Sequence, residues 1–283
     1  YLYVDLYREI HNISDWLTVN SYLTQNFAIM EDLDLAEYSN YYLNNYSGTM
    51  NGNDHTLRNI KIISNKSGLF NQMNGTLKDI YFENIKKTSN SSYSGLVGYS
   101  NQYGRFENVH VKDISIILPS TRTSNSVYIG GLIGYSYYSK VTNSSITNVD
   151  ISVTSAISDI QVGGLAGYSA AGTYNNVFAN NVNIYIQNSI STFGAGGLIG
   201  REGSSVGVIQ NAYTTGKIYT NGRYAGGIIG NGYGYVENTY SMVNIISEMK
   251  DVGGIVGRAN TLSYVNNNLF IGNISSKVPE TTH

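Results

Sequence analysis

The chain has 283 residues, a formal net charge of −2 and only 13% charged residues, so no polyanion or anionic membrane is suggested as a partner. It contains no cysteine, which excludes disulfides, thiolate chemistry and cysteine-ligated zinc. No apolar run approaches the roughly 20 residues of a membrane-spanning helix, and no signal-peptide pattern opens the chain. Because Tyr1 is not an initiator methionine, we expect the chain to be a piece of a longer polypeptide.

The first 45 residues lack the internal repeat that dominates the rest of the chain, and we predict that residues 1–45 form an N-terminal cap. Residues 1–6 have the pattern of a short strand, and residues 26–35 alternate as a strand. Between them, Ser14 is predicted as the N-cap of a short helix. The single tryptophan, Trp16, lies in that helix, and we expect it to pack on the first coil of the repeat.

A glycine-rich motif recurs along the chain at intervals of 27 to 36 residues. Its clearest form is Gly-Gly-Leu-Ile-Gly at 130–134, and a degenerate copy lies at 67–70. The other copies occupy residues 93–98, 163–167, 196–200, 226–230 and 253–257. Self-similarity at such a period is typical of a repeat architecture.

A second motif of the form x-Val-x-Asn-Val follows each glycine motif and alternates apolar and polar residues, as a strand does. A more variable third strand, such as that at 113–117, completes each repeat. Three short strands in about 30 residues predict one coil of a right-handed parallel β-helix, over residues 46–274. Eight or so coils, at about 4.8 Å each, would give a rod of roughly 40 Å. Residues 275–283 are polar and are predicted to be a tail or linker.

An asparagine recurs at one position of the second motif. Stacked asparagines can hydrogen-bond along the rod and satisfy buried turns; a row of ligand-binding side chains is the alternative. The glycine pairs indicate close backbone approach or positive φ. A phosphate-binding loop is the alternative, but neither a Gly-x-Gly-x-x-Gly that opens a helix nor a Walker lysine is present. The asparagine column comprises Asn59, Asn108, Asn143, Asn176, Asn211, Asn238 and Asn267, with Asp79 at the same position.

The residue after each glycine motif forms a further column. Its first three members are tyrosines, which could offer a flat strip for sugar stacking or could pack on one another. We take the tyrosines and arginines of this column as candidate ligand-binding residues. The members are Tyr99, Tyr135, Tyr168, Arg201, Asn231 and Arg258.

Catalytic patterns are missing from the sequence. It has neither the His-Glu-x-x-His of zinc peptidases nor a Gly-x-Ser-x-Gly elbow. Asp32 and Asp34 could share a cation but are also explained as a solvated or turn-bonding pair, and Lys250-Asp251 near Arg258 is the other notable charged group. We therefore predict no catalytic residue, metal site or cofactor, and a protein that is not an enzyme.

The alternative is a carbohydrate-active β-helix. Such an enzyme needs converging carboxylates and a basic residue. It predicts a cleft around Asp113, Asp150 and Arg122. A glycan-binding module that uses the tyrosine strip is a third hypothesis.

The repeated Gly-Gly-Leu-Ile-Gly, followed by Val-x-Asn-Val or a similar sequence, resembles the GLUG motif over roughly residues 46–274. GLUG repeats occur in secreted and surface-anchored bacterial proteins, including the non-catalytic N-terminal region of immunoglobulin A-specific zinc metallopeptidases. The resemblance implies a secreted or cell-surface bacterial protein, with a rigid spacer that offers a surface for adhesion or substrate docking. The partners it implies are a host protein or glycan and further domains of the same polypeptide, with no nucleic acid and no membrane insertion.

Overall fold

The computed structural model describes residues 6–39, 41–119, 126–155, 157–187, 193–248, 250–260 and 263–276. Almost all of the regular structure is β-strand. In chain order the elements are β1 (Tyr7–Ile10), α1 (Ile13–Thr18), a 3₁₀ turn (Val19–Ser21), β2 (Asn26–Ile29), β3 (Leu33–Asp34), β4 (Leu43–Tyr46), β5 (Thr49–Asn51), β6 (Thr56–Ile62), β7 (Phe70–Met73), β8 (Thr76–Thr88), β9 (Tyr93–Ser94), β10 (Val97–Ser100), β11 (Arg105–Leu118), β12 (Ser126–Gly130), β13 (Ile133–Tyr137), β14 (Lys140–Val153), β15 (Asp159–Gly163), β16 (Ala166–Ala170), β17 (Thr173–Ile186), β18 (Phe193–Gly196), β19 (Ile199–Glu202), β20 (Val208–Thr220), β21 (Tyr224–Gly226), β22 (Ile229–Gly232), β23 (Tyr235–Ser247), β24 (Val252–Gly253), β25 (Val256–Ala259), β26 (Tyr264–Asn266), β27 (Leu269–Phe270) and β28 (Ile274–Ser276).

The strands stack in parallel into three sheets that together form a β-solenoid, which confirms the predicted fold class. The large sheet follows the order β1-β2-β5-β8-β11-β14-β17-β20-β23-β26, and sheets of eight and six strands complete the coils. One complete coil is β12, β13 and β14, one strand from each sheet. Ten strands in the longest path at about 4.8 Å spacing correspond to a rod of about 43 Å.

The interior of the solenoid is a continuous apolar core. In β14 the apolar positions Val141, Ile146 and Val149 are fully buried (the polar Ser144 is buried as well), whereas residues such as Asp150 face outward. The partners of these apolar residues one coil away, in register across β11 and β17, are likewise apolar. The period-two pattern of the sequence thus places apolar side chains of successive coils above one another, and each coil buries the apolar edge of its neighbour.

The glycine motif forms a tight corner between two short strands, and is not itself one strand. Gly130 ends β12, Leu132 points into the core, and β13 begins at Ile133. A Cβ on Gly197, in the equivalent corner of a later coil, would lie 2.1 Å from the carbonyl oxygen of Gly227. Close approach of successive backbones is therefore what requires these glycine pairs, and of the two predicted explanations this one is confirmed.

The recurring asparagines form corners in the left-handed region of backbone space. Four of the long strands, β8, β11, β14 and β17, bend twice, at residues five apart such as Asn143 and Asn148, with φ between 50° and 60°. Asparagine tolerates this conformation better than other residues with a Cβ. Its amide also bonds to the next coil, as Asn176 Nδ2 does to Asn143 Oδ1 at 2.8 Å. The structural interpretation of the asparagine column is confirmed.

One member of that column was assigned to the wrong register. Asn59 does not align with Asp79: β6 pairs Thr56 with Tyr81, so Asn59 faces Asn84 in the second corner, and its Oδ1 accepts from Asn84 Nδ2 at 2.6 Å. The first corner of this coil is instead made by residues 52–54, which add two residues and displace the following motif.

The N-terminal helix is also capped differently from the prediction. Asn12, and not Ser14, is the N-cap of α1, because its side chain accepts the N–H of Asp15 at 3.1 Å. Trp16 is fully buried and its ring lies 5.7 Å from that of Tyr41, as expected for a residue that packs on the first coil.

At the two ends of the chain, the structure describes the predicted strand at 1–6 and the predicted tail at 275–283 only in part. Of the predicted strand at 1–6, residues 1–5 lie outside the described residues, as do residues 277–283 of the predicted tail. In the last described coil Leu269 is 55% exposed and Ile271 is 62% exposed. The division of the chain at 45/46 and 274/275 remains a prediction.

Candidate functional site

The predicted aromatic column is a real row of neighbours in the structure. Tyr99, Tyr135 and Tyr168 occupy one register position in β10, β13 and β16. Their rings are stacked, with centroids 5.3 Å apart for the first pair and 4.9 Å for the second. The row continues through Arg201, Asn231 and Arg258 in the following coils.

Neighbouring rings close this tyrosine row. Tyr93 and Tyr128 pack against it at centroid distances of 5.2 to 5.8 Å. Burial, together with the surrounding phenols, raises the pKa of Tyr135 to about 12. Because these rings stack on one another and Tyr93 and Tyr128 pack beside them, the geometry fits self-packing better than sugar stacking, which needs an open face. A ligand-binding role for this column remains a prediction.

The basic end of the same column also has partners within the protein. The guanidinium of Arg201 lies over the Tyr168 ring at 5.7 Å, and that of Arg258 over the Tyr224 ring at 5.1 Å. Arg258 also donates to the Tyr224 hydroxyl. Asp251, grouped with Arg258 in the sequence, instead forms an ion pair with Arg223 at 3.3 Å. The arginines are thus held by cation–π contacts and not arranged around a shared anion site.

The aspartate pair in the N-terminal region bonds to the adjacent coil. Asp34 accepts two hydrogen bonds of 2.9 Å from the Asn59 amide, which lower the pKa of its carboxyl. Asp32 accepts the Thr56 N–H at 2.9 Å, and this bond lowers its pKa in turn. Among the described residues no three histidine or acidic side chains are grouped as a metal site would require. The turn-bonding interpretation of the pair is the one that fits.

The carboxylates of the catalytic alternative share a shallow groove, yet each is already hydrogen-bonded. Asp113 and Asp150 both line it. Asn148 Nδ2 donates to Asp113 Oδ1 at 2.7 Å, and Asn183 Nδ2 donates to Asp150 Oδ1 at 3.1 Å. Arg122, the proposed basic partner, lies outside the described residues.

Two aromatic ladders on the outer face of the large sheet were not found from the sequence. One contains Phe178, Tyr213 and Tyr240, with ring centroids 4.6 and 5.0 Å apart. The other contains Tyr185 and Tyr219, whose rings are 5.0 Å apart and within 12° of parallel. They belong to outward positions of β17, β20 and β23, in which residue identity varies from coil to coil. The signal that could have found them is the period-two spacing of aromatics within each long strand.

A groove of about 410 Å³ follows the second ladder on this face. Its two sides are register columns two residues apart along the strands. One side comprises Ser115, Asp150, Asn183 and Lys217, and the other comprises Ile117, Ser152, Tyr185 and Tyr219. A groove of this size with a largely apolar wall and a few convergent polar groups has the usual properties of a ligand-binding site.

A buried carboxyl is the most perturbed acidic group in the described chain. Glu202 is 1% exposed and stands in the interior column occupied by serines in earlier coils, such as Ser169. Its Oε1 accepts the N–H groups of Ala171 at 2.9 Å and Ser204 at 3.0 Å, and its Oε2 has no described hydrogen-bond partner. Burial raises the pKa of Glu202 to about 7.

Comparison with known proteins supports the architecture. The GLUG motif matches residues 125–152. A crystal structure described as a candidate immunoglobulin A1 protease from Bacteroides ovatus has 17% sequence identity and a TM-score of 0.64, over 95% of this chain and 84% of that chain. At this identity the likeness establishes the fold alone.

Other comparisons add little. A structure of L. reuteri 53608 SRRP aligns over 95% of this chain and 98% of that chain at 14% identity, but its TM-score of 0.33 carries no argument. No curated protein matches the sequence significantly. Within the described residues, no helix has the length and apolar character needed to cross a membrane.

Proposed function

We propose that this chain is a non-catalytic β-solenoid module of an exported bacterial surface protein, which acts as a rigid spacer and docks ligands on the outer face of its large sheet. The GLUG motif and the solenoid fold support this assignment. The resemblance to the N-terminal regions of immunoglobulin A-specific metallopeptidases supports a place beside further domains of the same polypeptide.

One observation carries the proposal: aromatic side chains are exposed in rows on the outer face of the large sheet. Asp113 and Asp150, which a glycosidase would aim at a substrate, lie on amide ladders between coils. On the same sheet Tyr185 and Tyr240 are 40% and 38% exposed. Exposed aromatics on a rigid, extended face suit recognition more than bond cleavage.

The stacked coils suit a spacer. A rod of stacked coils would hold a neighbouring domain at a fixed distance, because each coil is fixed by hydrogen bonds to the coil before it.

The experiment is a retention assay with the purified chain on beads carrying host glycans and glycoproteins, immunoglobulin A among them. We expect saturable retention, with no release of reducing sugar or peptide during prolonged incubation. Turnover that is lost in Asp150→Asn would contradict the proposal and favour the carbohydrate-active alternative. Absence of retention on every ligand would contradict the docking role.

A further inference from the structure

The ladder that contains Tyr185 is interrupted by one small residue. In register, its column runs Ile117, Ser152, Tyr185 and Tyr219 across β11, β14, β17 and β20. Ile117 is 47% exposed and Tyr185 is 40% exposed, whereas Ser152 between them has only a hydroxymethyl group. The column therefore has a slot one coil wide, between an aliphatic wall and an aromatic wall.

The dimensions of this slot suit one ring-shaped group. Ile117 and Tyr185 are two coils apart, or about 9.6 Å at the usual strand spacing, so a ring placed over Ser152 would lie about 4.8 Å from each. Tyr185 and Tyr219 stack at 5.0 Å, which shows that one coil spacing is a stacking distance in this ladder. A ligand ring at Ser152 would thus occupy the missing rung.

The aromatic wall is held in place with one face unoccupied by any described ring. Tyr219 covers one face of Tyr185, and no other described aromatic ring stacks on it. The Tyr185 hydroxyl donates to Gln187 Oε1 at 2.6 Å, and the Tyr219 hydroxyl donates to Glu248 Oε1 at 2.9 Å. Because these bonds fix both rings, little side-chain entropy remains to be lost when a ligand stacks.

A second serine in the same strand provides a contrast. Ser145 stands between His110 and Phe178 in the other aromatic ladder, but His110 Nδ1 and Ser145 Oγ are 2.8 Å apart. That gap is bridged by a hydrogen bond from the imidazole side. The row of Tyr135 has no gap at all, since its rings are stacked continuously. The slot at Ser152 differs in that no described hydrogen bond spans it, although a smaller groove of about 320 Å³ also passes His110 and Ser145.

The polar side of the groove identifies the kind of ring. Asp150, Asn183 and Lys217 are exposed along it; Asp150 lies in the same strand as Ser152, and Asn183 and Lys217 lie one and two coils away. The carboxylate and the ammonium balance in charge, so the groove does not select an ion. A pyranose has an apolar C–H face for stacking and a rim of hydroxyls for amide, carboxylate and ammonium groups.

We propose that the groove over Ser152 is a saccharide-binding site, in which a neutral pyranose stacks on the free face of Tyr185 and hydrogen-bonds to Asp150 and Asn183. This site deepens the proposed docking function by naming its ligand class, and it rests on that function. The three register intervals of the groove span about 14 Å, enough for two or three linked sugar units.

The test uses the full chain and three neutral probes of different stereochemistry: lactose, cellobiose and methyl α-D-mannopyranoside. Binding is followed by saturation-transfer NMR and by titration. We expect at least one probe to bind saturably with a Kd of about 1 mM, a value typical of a single small contact area. We expect Tyr185→Ala to weaken this binding about tenfold and Ser152→Tyr, which fills the slot, to abolish it.

Tyr103→Ala is the matched control, because its ring is 64% exposed and does not line the groove, so that its removal should leave saccharide binding unchanged. Ser152→Tyr is expected to fold normally, since its ring would stack between Ile117 and Tyr185; circular dichroism checks this. The proposal would be overturned if none of the three probes bound saturably, or if binding survived in Ser152→Tyr. Binding of N-acetyl-tyrosinamide in the slot without any sugar would also overturn it, in favour of a protein side chain as the occupant.

Failure of this site and failure of the docking function are distinguishable. If Ser152→Tyr is retained on glycoprotein beads as well as the wild type, docking stands and the ligand lies elsewhere. If the wild type is not retained, both proposals fail together.

Discussion

Replacing the buried Glu202 with glutamine should remove a pH-dependent contribution to stability. The folded-state pKa of about 7 lies above the ordinary value of 4.5. Between those pH values the folded chain therefore holds a proton that the unfolded chain has lost. The free energy of unfolding should fall as pH rises from 4.5 to 7 and should stay level for this group above 7. A gap of about 2.5 pH units, at 1.36 kcal/mol per unit, amounts to about 3 kcal/mol.

Urea unfolding of wild type and Glu202→Gln, followed by circular dichroism between pH 4.5 and 8, measures this contribution. Glutamine keeps an oxygen for the N–H groups of Ala171 and Ser204, so the variant should fold and should gain on the wild type by about 3 kcal/mol as pH rises. Burial lowers the pKa of His110, whose contribution is lost as pH falls, but His110 is present in both proteins and cancels in their difference.

Glu107→Gln provides the control, because Glu107 is exposed on the outer surface. It should leave the pH profile of the wild type unchanged. An identical pH dependence in wild type and Glu202→Gln would refute the reasoning, since it would mean that this carboxyl is not buried away from water as the structure places it.

Five further substitutions test the corners and the cap by urea unfolding. Asn176→Ala, at a corner with φ 55°, should cost about 2 kcal/mol, and Asn176→Gly should recover the part due to backbone strain but not the lost hydrogen bond; equal losses in both would argue against corner strain. Gly197→Ala should cost at least about 3 kcal/mol, because its Cβ would meet a backbone oxygen at 2.1 Å, and a neutral result would contradict the close packing. Asn12→Ala should cost about 1 kcal/mol while Ser14→Ala costs nothing, and the reverse order would restore Ser14 as the cap.

The architecture could be predicted because the same physical requirement recurs in each coil. Close backbone approach selects glycine at positions such as Gly197, and a left-handed corner selects asparagine at positions such as Asn176. Both requirements therefore produce the same residue type at the same position of successive repeats. The register error at Asn59 arose where residues 52–54 add to a corner, because sequence similarity alone cannot distinguish the first corner from the second.

The candidate site could not be predicted in the same way. Its defining residue, Ser152, is informative only because its register neighbours Ile117 and Tyr185 are large, and register is set by pairing of strands about 33 residues apart. The tyrosine row at Tyr135 was visible because it adjoins the repeated glycine motif. The same adjacency leaves its rings stacked on one another, so the more conspicuous row has the less accessible faces.

Retention of the chain on immobilised host glycans and glycoproteins, with Ser152→Tyr measured in parallel, tests the central claim most directly. The account predicts saturable retention of the wild type, loss of the glycan-dependent part in Ser152→Tyr, and no turnover of any ligand. Cleavage of a ligand, or no retention on any surface, would contradict a non-catalytic docking module.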